Sequence, residues 1–297
     1  MNTAPTTMVF GIAGLVLLAP LGYGLMFGMG PIPELGAAGL GIATAIVLWL
    51  QAIGFAIYLA TSSRFDDLGL FSRWDAPDWK QIGALLALGL PMGVSIFMEG
   101  SLFVATALLI GRLGAVDVAA HQIALNVASV CFMLPLGIAM ATTVRVGHAA
   151  GAGDRSAVRW AAGAGFALGG VTQVAAALIL IFGGAWISSL YTSDPAVVAL
   201  AILLMRYAAV FQLPDGVQVL ASGALRGLKD TRVPMLITIL AYWGIGLPLG
   251  AWFGLHLHGR APGLWVGLIL GLSVAGSLLA WRLWLQCRDP KPMVPVT

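Results

Sequence analysis

LGLPMGVSIFMEGSLFVATALLIG (88–111) is apolar from end to end except for Glu99, the only charged side chain between Lys80 and Arg112. About 20 apolar residues cross the hydrocarbon core of a bilayer as a helix. The stretch therefore reads as a membrane-spanning helix that carries one acid inside it. A charge at the centre of a bilayer costs at least ~2.5 kcal/mol and is seldom kept there without a task. YAAVFQLPDGVQVLASGALRG (207–227) shows the same pattern around Asp215. The usual tasks for such acids are to bind a coupling ion, to relay a proton or to counter a cationic ligand.

Outward from these two stretches the sequence holds eight apolar spans, near 8–28, 36–60, 81–111, 116–144, 158–183, 196–224, 234–255 and 263–281. The runs are continuous rather than alternating, which specifies helices and not a barrel. The composition agrees: 60% of the 297 residues are hydrophobic and 9% charged, with mean hydropathy +0.96. Soluble domains carry about 25% charged residues. The expected class is an all-α polytopic membrane protein. Its 39 glycines suit close helix packing, and GFALG (165–169) and GLWVG (263–267) have the Gly-x-x-x-Gly spacing.

The cations are distributed unevenly. Four connections on one side carry Arg64, Arg73 and Lys80; Arg145, Arg155 and Arg159; Arg226, Lys229 and Arg232; and Arg282, Arg288 and Lys291. The alternate connections carry only Arg112 and Arg260. Basic loops stay cytoplasmic, so both termini are expected in the cytoplasm. The net charge of +3 points to no nucleic-acid partner. Cys131 and Cys287 form no framework and have no metal-ligand spacing. Residues 1–7, MNTAPTT, lack the basic start of a signal peptide, so the first span is expected to be retained.

The segment 63–80, charged and aromatic with Trp74 and Trp79, reads as a cytoplasmic interfacial linker. Ser193-Asp194-Pro195 reads as an N-cap followed by Pro at the first helical position. Asp117 and the Asp230-Thr231 pair are read as caps of the fourth and seventh spans. PLGYGLMFGMGPIPELGAAGLG (20–41) is similar to PLGAWFGLHLHGRAPGLWVGL (248–268). A six-helix unit repeated in parallel accounts for this, with four helices missing from the front.

Glu99 stands 13 residues before Arg112, ~20 Å along a helix, and Asp215 stands 11 before Arg226, ~16 Å. In a core of about 30 Å both fall near the midplane, where two carboxylates share a site for a proton, a sodium ion or an organic cation. Pro214 removes a helical hydrogen bond beside Asp215 and is a candidate hinge. Pro91, Pro135 and Pro248 interrupt other spans without that neighbour. Arg206 falls on the face opposite Asp215 and is expected to reach the outer interface. Gln122 and Asn126 in AHQIALN (120–126) share a face and are candidate cavity residues. His121 is expected to be a satisfied packing residue. No phosphate loop, paired-His metal motif or nucleophile elbow is present, so no enzyme is expected and coupling to an ion gradient remains as the energy source.

With AHQIALN, RVGHAAGAG (145–153) and LRGLKDTR (225–232) in view, residues 88–154 and 211–234 closely resemble the MATE family (multidrug and toxic compound extrusion), in particular its NorM-like bacterial members. The resemblance implies a twelve-helix, two-lobe transporter that exchanges cationic and amphiphilic drugs for Na+ or H+ in the bacterial inner membrane. This chain then looks like helices 5–12: the last two helices of the N-terminal lobe in 1–62, the linker 63–80, a six-helix C-terminal lobe in 81–285 and a cytoplasmic tail in 286–297. By resemblance Glu99 and Asp215 fall on cation-coupling acids and Gln122 on a polar cavity residue; Asn126, on the same helix face as Gln122, and Phe211 are read as further substrate-cavity residues. Some members have Tyr where this chain has Phe211, which removes an oxygen from any sodium site. The acid that some members carry on their first helix is outside the helices present. No cofactor is implied beyond the coupling ion. The alternatives are a flippase of related architecture, disfavoured because the spans hold acids and few cations, and a non-transporting membrane fragment or subunit.

Overall fold

The computed structural model describes residues 4–28, 34–62, 76–257 and 259–288. Arg64, Arg73 and Trp74 of the expected linker and Lys291 of the expected tail lie outside them. Among the described residues eight helical spans are long and apolar enough to cross a membrane. They are α1 (Ala4–Phe27), α2 (Gly36–Thr61), α3 (Trp79–Gly111), α4 (Ala115–Gly151), α5 (Arg155–Tyr191), α6 (Pro195–Gly227), a broken seventh span and α9 (Arg260–Arg288). The seventh alternates α-helix, Arg232–Ile239 (α7) and Leu247–Ala251 (α8), with π-helical turns at Leu240–Gly246 and Trp252–His256. Pro248 has no N–H to close the α-helical bond and its ring crowds the preceding turn, which suits widening before it.

Several helices outrun the apolar spans. At 1.5 Å per residue the 37-residue α4 is ~55 Å long, well beyond a ~30 Å hydrocarbon core. The helix continues through Arg145 because nothing breaks it before Gly153, whose φ of 71° only glycine adopts freely. Arg145, Arg159, Arg226, Arg282 and Arg288 are therefore helix-borne, not loop-borne as the sequence suggested. Residues 286–288 of the expected tail likewise belong to α9.

The chain divides into two compact units, Met1–Asp78 and Trp79–Thr297. In the first, α1 and α2 form an antiparallel hairpin. Gln51 Nε2 donates to the Phe10 carbonyl across 3.0 Å, and Phe10 meets Phe55 edge to face at 5.5 Å. In the second, α6 is the central element, packed on α4, α5 and α9. Its core joins Leu102, Leu204, Met205, Ala208, Tyr242, Trp265 and Leu268, all at or near complete burial. Small residues allow the approach: Thr143 Oγ1 reaches the Gly223 carbonyl of α6 at 2.7 Å. The seventh span and α9 meet through two glycine rows, Gly246-Gly250-Gly254 and Gly263-Gly267-Gly271, each at a spacing of four. A Cβ at Gly271 would lie 2.9 Å from the Cα of Gly246.

The caps were half legible. Asp194 caps α6 by accepting from the Ala196 N–H at 2.9 Å, with Pro195 next. Asp117 is not a cap: Gly114 holds that place, and the buried Asp117 carboxylate pairs with Arg260 of α9. Of the Asp230-Thr231 pair, Thr231 holds the N-cap position of α7, without a side-chain cap bond, while Asp230 accepts from Arg282 Nε at 2.8 Å and Gln286 Nε2 at 3.2 Å, tying the connection after α6 to α9. In both cases a distant cation offers a charge-assisted bond stronger than a cap.

Candidate functional site

Phe211, Asp215, Gln218, Ser222 and Arg226 occur on α6 at spacings of four, three, four and four. At 100° per residue they form one stripe, the last only about 20° from Asp215. From α3 comes Glu99, whose neighbour Met98 offers its carbonyl to Ser101 Oγ at 3.1 Å and to Trp243 Nε1 of the seventh span at 3.3 Å. Those two donors fix the backbone that carries the acid.

Two cavities meet at Glu99. The larger, about 450 Å³, runs along Met92, Phe103, Phe132, Met140, Gln218, Ser222 and Arg226. The smaller, about 190 Å³, is lined by Glu99, Phe103, Ser129, Phe132, Phe211 and Asp215. Glu99, Phe103 and Phe132 belong to both walls. Asp215 is buried and within electrostatic reach of Glu99. Tyr242, fully buried on the first π-turn, lies beside Gln218 and within reach of both carboxylates. Its hydroxyl and Gln218 Oε1 are buried without a hydrogen-bond partner. An orphaned buried oxygen is costly, so an accepting amide oxygen and a hydroxyl near a pair of acids are left for a ligand to satisfy.

The structure thus brings Glu99, Asp215 and Phe211 to one space. Phe211 closes an aromatic row, with Phe103 at 6.1 Å on one side and Trp265 at 5.8 Å on the other. Trp265 Nε1 donates to His121 Nδ1 at 3.2 Å, while His121 Nε2 stays unpaired, so that histidine is satisfied on one side only. Pro214 is half-buried inside α6, its carbonyl packed against Gly276. Gln122 and Asn126 are exposed on α4 and line neither cavity; Tyr191 Oη donates to Asn126 Oδ1 at 2.8 Å. Arg206 is exposed, on the opposite side of α6 from Asp215.

Gln218, Tyr242 and Arg226 were not singled out from the sequence. Arg226 was counted with the inner loop, although its spacing of eleven from Asp215 already put the two on one face. Tyr242 had no such signal, because the π-turn shifts the register that would have aimed it. Among the described residues no group of three His, Cys, Asp or Glu is placed to hold a metal ion. Oxygen donors around the acids come instead from Gln218 and Tyr242.

The sequence pattern of the MatE family matches residues 91–252, which include the second half of α3, all of α4 to α6 and most of the seventh span. The chain belongs to the MatE family. It is 55% identical over 276 residues to a protein of Xanthomonas campestris pv. campestris described as "Probable multidrug resistance protein NorM", covering 93% of this chain and 60% of that one. It is 46% identical over 292 residues to "Multidrug resistance protein PmpM" of Pseudomonas aeruginosa, covering 97% of this chain and 61% of the relative. The chain therefore spans about 60% of the length of these relatives. Among solved structures its fold is similar to the eukaryotic MATE transporter AtDTX14, with TM-score 0.83 and 23% identity over 93% of this chain and 61% of that one. The outward-facing structure of a multidrug resistance MATE family transporter gives TM-score 0.83 at 19% identity over 94% and 62%. A MatE chain with eight apolar spans is a multi-pass membrane protein.

Proposed function

We propose that this chain is the drug- and cation-binding part of a multidrug efflux antiporter in a bacterial inner membrane, equivalent to helices 5–12 of a two-lobe transporter. The observation that carries the reading is the placement of Glu99 and Asp215, from separate helices, on one cavity wall. Two carboxylates against Phe103, Phe132 and Phe211 repel each other in a poorly polarisable space, and a cation or proton between them relieves that repulsion. A cationic drug and a coupling ion then compete for one pair of acids, which is the thermodynamic core of exchange. The names of the NorM and PmpM relatives support multidrug cargo. The Phe103 and Phe132 rings, shared by both cavities, suit cationic amphiphiles through their π-faces.

The coupling ion is Na+ or H+, and the termini face the cytoplasm as the basic connections require. Alternating access follows: outside, the ion binds at Glu99 and Asp215 and the drug leaves; inside, the ion leaves and a drug binds. The test is ethidium binding to the purified chain, followed by fluorescence while Na+ or acid is added. Displacement of ethidium by one of the two, abolished in both Glu99→Gln and Asp215→Asn, is the expected result. Binding that is indifferent to both substitutions would sink the reading.

A further inference from the structure

Four aromatic rings from four helices form one row. His121 of α4 meets Trp265 of α9 at a centroid distance of 5.9 Å and an interplanar angle of 72°. Trp265 meets Phe211 of α6 at 5.8 Å and 74°, and Phe211 meets Phe103 of α3 at 6.1 Å and 69°. Each junction is edge to face, which sets the positive edge of one ring against the negative face of the next. Phe103 and Phe211 line the smaller cavity with Glu99 and Asp215. His121 and Trp265 are buried behind them and line neither cavity.

The row is held by a directional bond at its far end. Trp265 Nε1 donates to His121 Nδ1, which fixes how the indole is turned. The two phenylalanines have no polar atom with which to do the same. To accept, Nδ1 must be unprotonated, so the imidazole proton sits on Nε2, a buried nitrogen without a partner. An unsatisfied buried N–H is a cost, and a leucine or phenylalanine would fill the space without it. We propose that His121 is a positioning residue of the binding site: by anchoring the Trp265 indole it sets the angle of the Phe211 ring that a ligand meets beside Asp215. The proposal rests on the efflux reading above and adds to it a residue that no ligand touches. Without the acceptor the indole is no longer held in one rotation, and Phe211 loses the fixed edge against it. Binding then has to order that ring, which weakens it.

Ethidium binding to the purified full chain, read by fluorescence well below the unfolding midpoint of every variant, separates positioning from packing. His121→Leu is expected to weaken ethidium roughly fivefold, the scale of one edge-to-face contact. His121→Gln, whose amide oxygen accepts from an indole N–H, is expected to recover most of the loss. Trp265→Phe removes the donor and is expected to weaken binding by a similar factor, after which His121→Leu adds nothing further. Asp117, one turn before His121 on α4, ties the same two helices through Arg260. Arg260→Gln is therefore expected to lower the midpoint and leave ethidium affinity unchanged. A His121→Leu variant with a lower midpoint and unaltered affinity overturns the proposal. So do equal losses in His121→Leu and His121→Gln, losses that multiply in the double variant, or an Arg260→Gln loss as large as that of His121→Leu. In each of these cases the efflux reading stands. Failure of the unaltered chain to bind ethidium overturns both.

Discussion

Gly250 and Gly267 bring the seventh span and α9 into backbone contact: a Cβ added at Gly267 falls against the Cα of Gly250. No side chain can rotate away from such a clash, because both partners are main chain. Gly267→Ala is therefore expected to cost ~1–3 kcal/mol, the range for overpacking a filled interface. Gly137→Ala meets nothing within 4 Å. There the only change is the better helix propensity of Ala, worth up to ~1 kcal/mol. Thermal unfolding in detergent, followed by helical circular dichroism, should show a lower midpoint for the first and an equal or higher one for the second. Equal midpoints for both would mean that the glycine rows do not set this interface.

Asp117 and Arg260 form a lopsided pair. The aspartate side chain is 2% exposed and the arginine 60%. Removing the arginine strands a buried carboxylate, whereas neutralising the aspartate leaves an exposed guanidinium that water can solvate. Arg260→Gln is thus expected to lower the unfolding midpoint more than Asp117→Asn. The double variant should resemble Asp117→Asn alone, since the stranded charge is then gone. Additive losses would show that the two side chains act independently.

The spans were readable because hydropathy over about 20 residues depends on composition, not on partners. The same holds for the Asp194 cap, whose acceptor and donor are two residues apart. Asp117 and Asp230 were misread because their partners, Arg260 and Arg282, are 143 and 52 residues away. Local propensity cannot weigh such bonds. Glu99 and Asp215 stood out as charges without neighbours in the sequence. Gln218 and Tyr242, uncharged, gain meaning only from the burial that leaves their oxygens unpaired. The π-turns were invisible for a related reason: a Pro in a span signals a kink, but whether the helix tightens, bends or widens is decided by the packing around it.

Gln173 reaches across from α5 to the backbone of α6 beside Pro214. Its Nε2 donates to the Gln212 carbonyl, and Gln212 Nε2 in turn reaches the Ala128 carbonyl of α4 at 3.4 Å. Gly216 supplies the room, since a Cβ there would press on the Gln173 side chain. Gln173→Leu keeps much of the volume but removes the bond to the Gln212 carbonyl, at an expected cost of ~0.5–1.5 kcal/mol. If the glutamine only stabilises, ethidium affinity should stay constant once stability is corrected for. If it also fixes the backbone around Pro214, and so the position of Asp215, affinity falls as well. A Gln173→Leu variant with unchanged midpoint would remove the cross-link from the account.

Phe211 lines the smaller cavity one helical turn before Asp215 and holds its ring between Phe103 and Trp265. Phe211→Tyr adds an oxygen to a cavity that Glu99 and Asp215 also line. Sodium takes oxygen ligands, so the variant is expected to show a larger gain in unfolding midpoint on replacing choline chloride with sodium chloride than the unaltered chain. Free-energy linkage sets the scale: tighter binding of an ion raises stability by RT ln(1 + [L]/Kd), about 1.4 kcal/mol for each tenfold gain at saturating ion. Asp215→Asn in the same background should erase the difference between the two salts. A salt response identical in Phe211→Tyr and in the unaltered chain would mean that the ring edge does not face the ion, and that sodium, if it binds, does so on the Gln218 side of Glu99.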